Sequence, residues 1–134
     1  EAVIAGARSE EIENVEATAL NPFDTGPEEV MAAQALILGT TENLGYMSGA
    51  LKDFFDRVYY PCLEETQALP YALYVRAGKD GTGTCRAVQS IATGLRWRAV
   101  QEPLVCRGEF REDFVGQCRE LGMLMAAGLD SGVF

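Results

Sequence analysis

Gly39-Thr-Thr-Glu-Asn-Leu-Gly-Tyr-Met-Ser-Gly-Ala-Leu-Lys-Asp-Phe-Phe-Asp-Arg57 changes character halfway along its length. The first half, Gly39–Gly49, is polar and rich in glycine, as a connection is. In the second half Leu51, Phe54, Phe55 and Val58 recur at i, i+3, i+4 and i+7, while Lys52, Asp53, Asp56 and Arg57 fall largely on the other side. That period predicts an amphipathic helix from Ser48 to about Tyr60, with Ser48 capping its start and Pro61 ending it. Just upstream, Ala35–Leu38 is a continuous apolar run, as expected of a strand whose two faces are both covered by helices. Strand, polar loop and helix in this order form the repeating unit of a parallel α/β sheet.

Outward from this unit, five helical and four strand-like stretches alternate. Glu1–Glu10 reads as the end of an alanine-rich helix and Val15–Leu20 as a short strand. Asn21–Gly26 is a turn-rich connector, and Pro27 suits the first position of a brief helix that Glu28 and Glu29 favour electrostatically. On the other side, a strand at about Tyr71–Arg76 runs into the glycine-rich turn Ala77–Gly83. The next helix carries Val88, Ile91, Ala92 and Leu95 on one face. Val100–Cys106 follows as a strand interrupted by Pro103, and Phe114, Cys118, Leu121 and Met125 form the core stripe of a last helix. No internal repeat is visible.

With 134 residues, 48% of them apolar and 23% charged, the chain reads as a single globular domain over residues 1–134. A right-handed crossover needs a strand at each end, so a parallel sheet does not begin on an unpaired helix. A central first strand and a phosphate-binding turn are therefore expected upstream of Glu1, on the order of 20 residues of chain.

Composition excludes several classes of function. A formal net charge of −9 and a pI near 4.4 argue against nucleic acid and against anionic membranes. The acidity is uneven, since Glu1–Glu29 holds eight acidic residues and one basic residue, which reads as a solvated face. The four cysteines, Cys62, Cys85, Cys106 and Cys118, form no C-x-x-C pair and signal neither zinc nor a redox dithiol. Without histidine there is no Ser-His-Asp or Cys-His arrangement and no histidine metal site. No apolar run approaches the ~18 residues of a membrane span and no signal peptide is visible, so a cytoplasmic protein is the expectation.

In open α/β sheets ligands bind beyond the carboxyl ends of the strands, near the point where strand order reverses. Two segments sit at such ends, Gly39–Gly49 and Ala77–Thr84. Their glycines let backbone approach a flat ligand, and their polar side chains and amides can hydrogen-bond its edge. Ordinary connectors are the other reading of the same residues, and a glycine-rich turn entering a helix is in itself common.

The stretch Gly39–Arg57 resembles the strand-loop-helix signature of flavodoxin-like NAD(P)H-dependent FMN reductases, approximately G-T-P-x-Y-x-G-x-M-x-x-x-L-K-x-F-x-D-R. Gly39, Thr40, Gly45, Met47, Leu51, Lys52, Phe54, Asp56 and Arg57 match it. Thr41 stands where that pattern has proline, Asn43 and Leu44 replace an aromatic pair, and Tyr46 takes a position commonly held by asparagine. The resemblance implies a doubly wound parallel sheet of strand order 2-1-3-4-5, with the first strand and the phosphate loop outside the sequence given. It also implies an FMN site in which Thr40, Thr41, Glu42, Asn43, Leu44, Gly45, Tyr46 and Met47 line the flavin ring. Gly78, Lys79, Asp80 and Gly81 would cover its polar edge, their amides stabilising the negative charge of the reduced ring. Lys52, Asp56 and Arg57 are expected to pack or face solvent, with no catalytic role.

The function implied is an oxidoreductase that passes hydride from NAD(P)H, a transient co-substrate, through FMN to a quinone, another flavin or a similar acceptor. No catalytic side chain is needed, because the cofactor carries the chemistry. Alternatives are a flavodoxin-type electron carrier, whose acidic surface suits a basic redox partner protein, and a binding module of the same fold without cofactor. Arg76, Lys79 and Arg86 lie near the second loop, where surface pairing is the expected role. A homodimer is expected, since in this class a second subunit often completes the exposed flavin edge.

Overall fold

The computed structural model describes residues 1–134. The elements run α1 (Ala2–Ala7), a 3-10 turn (Pro22–Asp24), α2 (Pro27–Ala32), β1 (Leu36–Asn43), β2 (Tyr46–Met47), α3 (Gly49–Cys62), β3 (Pro70–Ala77), α4 (Thr82–Gly94), β4 (Arg98–Ala99), β5 (Leu104–Arg107) and α5 (Glu112–Asp130). They group into two units: residues Leu20–Gly108, which hold the sheet, and Glu1–Ala19 with Glu109–Phe134, which hold α1 and α5.

In the sheet unit β1 and β3 pair in parallel over six residues, from Leu36 opposite Tyr71 to Thr41 opposite Arg76. β4 and β5 both run parallel to the other edge of β3, β4 beside Pro70–Tyr71 and β5 beside Tyr74–Ala77. Of the strand expected at Val100–Cys106 only Leu104–Cys106 is strand, in β5, while β4 lies just before the expected range. Pro103 lies in the break between them, as a residue with no N–H to give a ladder would.

The alternation of β3 is set by the helices it meets. Tyr71, Leu73, Val75 and Ala77 enter a core built with Val30 of α2, Leu51, Phe54, Phe55, Val58 and Cys62 of α3, and Val88 and Ala92 of α4. The helical stripes read from the sequence supply this core: Phe55 is 1% exposed, and Val58, Val88 and Leu95 are wholly buried. Each such side chain contributes about 1.5–3 kcal/mol of burial free energy. Trp97 closes the far end, its indole N–H donating to Thr66 Oγ1 at 2.8 Å while that hydroxyl donates to the Cys62 carbonyl at 2.9 Å.

Further expectations are corrected. Val15–Leu20 belongs to no strand; a strand exists through its ladder, and here the Ala17 carbonyl instead accepts two bonds from the Arg8 guanidinium, at 3.0 and 2.9 Å. The strand expected to stop at Leu38 continues to Asn43, because β3 offers ladder partners as far as Arg76. Helix α3 does not stop before Pro61 but holds it in its last turn and ends at Cys62, whose side chain is fully buried. Pro61 has no N–H to give the carbonyl one turn back, and the turn holds because Cys62 beyond it is buried in the core.

In the second unit α1 lies along α5. The approach is set by two glycines: a Cβ on Gly6 would overlap the Arg119 carbonyl, and one on Gly122 would overlap the Val3 carbonyl.

Candidate functional site

The two segments singled out in the sequence meet at the carboxyl ends of β1 and β3. The first is a hairpin rather than a loop. Glu42 pairs with Met47 and Asn43 with Tyr46, and a two-residue turn joins them. Leu44 has φ 54° and Gly45 φ 76°, the sign pattern of the type I′ turn whose twist matches antiparallel strands. Glycine accepts this backbone freely, but leucine is strained in it. The Leu44 side chain is fully exposed, so no packing offsets the strain.

The base of the hairpin is fixed. Thr40, 8% exposed, accepts the Ser48 N–H at 2.9 Å and donates its own hydroxyl proton to the Thr41 carbonyl at 2.8 Å. Met47 is 2% exposed. Ser48 Oγ then accepts the Leu51 N–H at 3.2 Å, the cap expected for α3. Gly39 leaves room for the Tyr74 ring, which covers it from β3.

The second segment is the turn Gly78–Gly81 between β3 and α4. Gly78, Lys79 and Asp80 are exposed, and nothing stands within 4 Å of where a Gly78 Cβ would be. Gly81 is buried, has φ 76° and serves as the N-cap of α4. A side chain there would meet Val105 Cγ1 at 2.7 Å. Arg107 holds the turn from β5, its Nε donating to the Asp80 carbonyl at 2.5 Å.

The two segments are joined. The Glu42 carboxylate accepts the Gly81 N–H at 2.8 Å, across 39 residues of sequence. Behind it, the Gly45 carbonyl comes so close to α4 that a Cβ on Gly83 would lie 2.6 Å from it. A carboxylate at the first amides of a helix is favoured by the helix dipole, which gives this contact its direction. Sequence alone offered no signal for the pair, since nothing in a glutamate of a polar segment names a partner 39 residues on.

The other predicted residues divide. Thr41 Oγ1 donates to Asn43 Oδ1 at 2.9 Å, and Tyr46 is 40% exposed beside it. Arg76 on β3 is engaged towards β5, donating to the Ala77 and Cys106 carbonyls at 2.9 and 3.0 Å. Lys79 and Arg86 are exposed. At Cys85, in the first turn of α4, burial foremost pushes the thiol above the ordinary 9.0, and Asp80 and Glu42 add to this against the opposing Arg107. Thr84, also in that turn, is fully buried and its Oγ1 has no hydrogen-bond partner.

The residues of the signature that lie on α3 serve the scaffold. Lys52 pairs with Asp56 at 2.6 Å and Arg57 with Asp53 at 2.8 Å. Arg57 also donates to the Thr25 and Pro22 carbonyls at 2.8 and 2.6 Å, clamping the 3-10 turn against α3. That clamp is a use of Arg57 which its place on the polar side of the helix did not reveal.

A largely parallel sheet with helices in β-α order, and two glycine-bearing segments meeting beyond its strand ends, is the flavodoxin-like fold. A flavodoxin from the domain Archaea superposes with a TM-score of 0.79 over 96% of this chain and 85% of that one, at 17% identity. A flavodoxin, WrbA-like protein from Agrobacterium tumefaciens gives 0.71 over 94% and 83%, at 18% identity. A protein from P. pentosaceus described as an NADPH-quinone reductase gives 0.62 over 92% and 86%, at 14% identity. No protein-family model and no curated protein sequence matches the chain. No helix is long and apolar enough to cross a membrane.

The residues present suit the polar edge of a flat ring. Gly78 leaves open space above the end of β3, the exposed turn Gly78–Asp80 offers main chain, and Tyr46 offers a partly exposed aromatic face.

Proposed function

We propose that the chain is a flavin-associated redox protein that holds the ring of FMN between the hairpin Thr40–Met47 and the turn Gly78–Gly81. The observation that carries this reading is the meeting of these two segments beyond adjacent parallel strands β1 and β3, the place where open α/β sheets bind ligands. When bound, FMN supplies the hydride and electron transfer. The chain's part is placement: the amides of the turn and the hydrogen-bonding groups of Thr41, Asn43 and Tyr46 orient the ring edge, and Tyr46 gives it an aromatic neighbour. In the finer reading NAD(P)H is the donor and a quinone, flavin or similar small molecule the acceptor, as the description of one structural neighbour as an NADPH-quinone reductase suggests.

Titration of the purified protein with FMN tests the coarse reading. Quenched flavin fluorescence with a saturable, one-to-one end point is the expected result, and neither bound flavin nor uptake of added FMN would end it. The acidic charge of −9 favours a second reading, a carrier reduced by a basic partner protein. Steady-state oxidation of NADPH and NADH by the FMN-loaded protein with a quinone present separates the two. Turnover is expected of the enzyme, and bound FMN without turnover of the carrier.

A further inference from the structure

The Gly81 amide, which the reading above would turn towards a ring edge, already has a partner. We propose that Glu42 is a positioning residue, a latch: its carboxylate holds the β1–β2 hairpin against the start of α4, and a planar ligand with an acceptor edge enters by replacing it at the Gly81 N–H.

The hairpin is a weak element that needs such a tie. Its ladder has two residue pairs, and a two-stranded ribbon that short is marginal by itself. Its base is held by buried Met47 and by the Thr40–Ser48 bond, but its tip residue Leu44 is fully exposed and strained. Towards α4 the tip brings the Gly45 carbonyl against Gly83. The 2.8 Å bond from Gly81 to Glu42 adds a side-chain hydrogen bond between the hairpin and the start of α4.

The Gly81 N–H is equally dependent on what the hairpin brings. It lies at a helix start, where the first amides lack main-chain partners within the helix, and Gly81 is buried. One amide proton cannot bond a carboxylate and a ligand oxygen at full strength, so the two exchange. The flavin reading enters only through the identity of the ligand; the latch itself is a property of the chain.

Backbone hydrogen exchange and FMN titration on wild type, Glu42→Ala and Glu42→Gln test it. Without the carboxylate, exchange at Gly81 and across Asn43–Tyr46 should rise about ten-fold, the measure of one charge-assisted hydrogen bond at a partly exposed site. Thermal unfolding should fall by only a few degrees, the loss of one hydrogen bond from the folded state. FMN should bind Glu42→Ala roughly 3- to 10-fold more tightly, since no internal acceptor must leave. Glu42→Gln, which keeps an acceptor but not the charge, should fall between, and it decides the matter on the same readouts if Glu42→Ala does not fold. Unchanged exchange at Gly81, or weaker FMN binding in the variants, overturns the latch. If none of the three proteins binds FMN, the flavin reading falls and exchange at Gly81 alone decides the latch.

Discussion

Gly116 and Gly122 occupy the same helix, α5, and a methyl group added to each should act in opposite directions. Beside Gly116 nothing lies within 4 Å, whereas a Cβ on Gly122 would overlap the Val3 carbonyl oxygen and stand 2.9 Å from the Ala7 nitrogen. Gly116→Ala should stabilise by about 0.5–1 kcal/mol through helix propensity. Gly122→Ala should destabilise by roughly 1–3 kcal/mol, because α1 must move away. Urea unfolding midpoints check both, and equal shifts would refute the close approach of α1 and α5. Leu44 offers a second test at this scale. Its left-handed conformation costs about 1 kcal/mol, and asparagine before glycine is the preferred pair for this turn. Leu44→Asn should therefore raise stability by about 0.5–1 kcal/mol in the same assay.

Among the elements, α3 carries most of the recognisable signature and also the clamp on the connector before it. The Lys52–Asp56 pair, with side chains 40% and 63% exposed, is screened by solvent and adds little. Arg57 does more, because its fork reaches two carbonyls of the 3-10 turn as well as Asp53. Arg57→Ala should cost about 1–2 kcal/mol after allowance for its partial exposure, and it should speed amide exchange at Asp24 and Thr25, whose N–H groups close that turn. Arg57→Lys should restore less than half, since an ammonium cannot span both carbonyls with the same geometry. Exchange at Asp24 unchanged in Arg57→Ala would show that the turn stands without the clamp.

For the molecule as a whole, the shifted groups set the alkaline limit of stability. Burial pushes the Cys62 thiol above 9.0 and the Tyr71 phenol above 10.0, and burial together with neighbouring carboxylates does the same for Cys85. Each raised group keeps its proton in the folded chain at a pH where the unfolded chain has lost it. Their contribution is complete below the ordinary values and is lost as pH rises through the raised ones. The urea midpoint should accordingly decline from about pH 9 upwards, and Tyr71→Phe should make that decline shallower above about pH 10. A midpoint that stays level to about pH 10.5 would contradict the burial of these groups.

Local chemistry in the chain was enough for much of this architecture. The helices α3, α4 and α5 were legible because Leu51, Phe54, Phe55 and Val58, then Val88, Ala92 and Leu95, then Phe114, Leu121 and Met125 repeat at the helical period, and that period is a property of neighbours in sequence. The strand β3 was legible as an apolar run bounded by turns, and Ser48 as a cap, for the same reason. The hairpin was not, because Gly39-Thr-Thr-Glu-Asn is polar and becomes a strand only through ladder bonds from β3 and from Tyr46–Met47. Val15–Leu20 shows the converse: a strand-like composition without a ladder forms no strand. The candidate site divides along the same line. Its location beyond the strand ends followed from the order of elements, whereas the bond from Gly81 to Glu42, the hold of Arg107 on Asp80 and the clamp of Arg57 join residues dozens of positions apart. Such pairs have no period and no spacing rule, so only the folded chain, by bringing the ends of β1, β3 and β5 together, decides them.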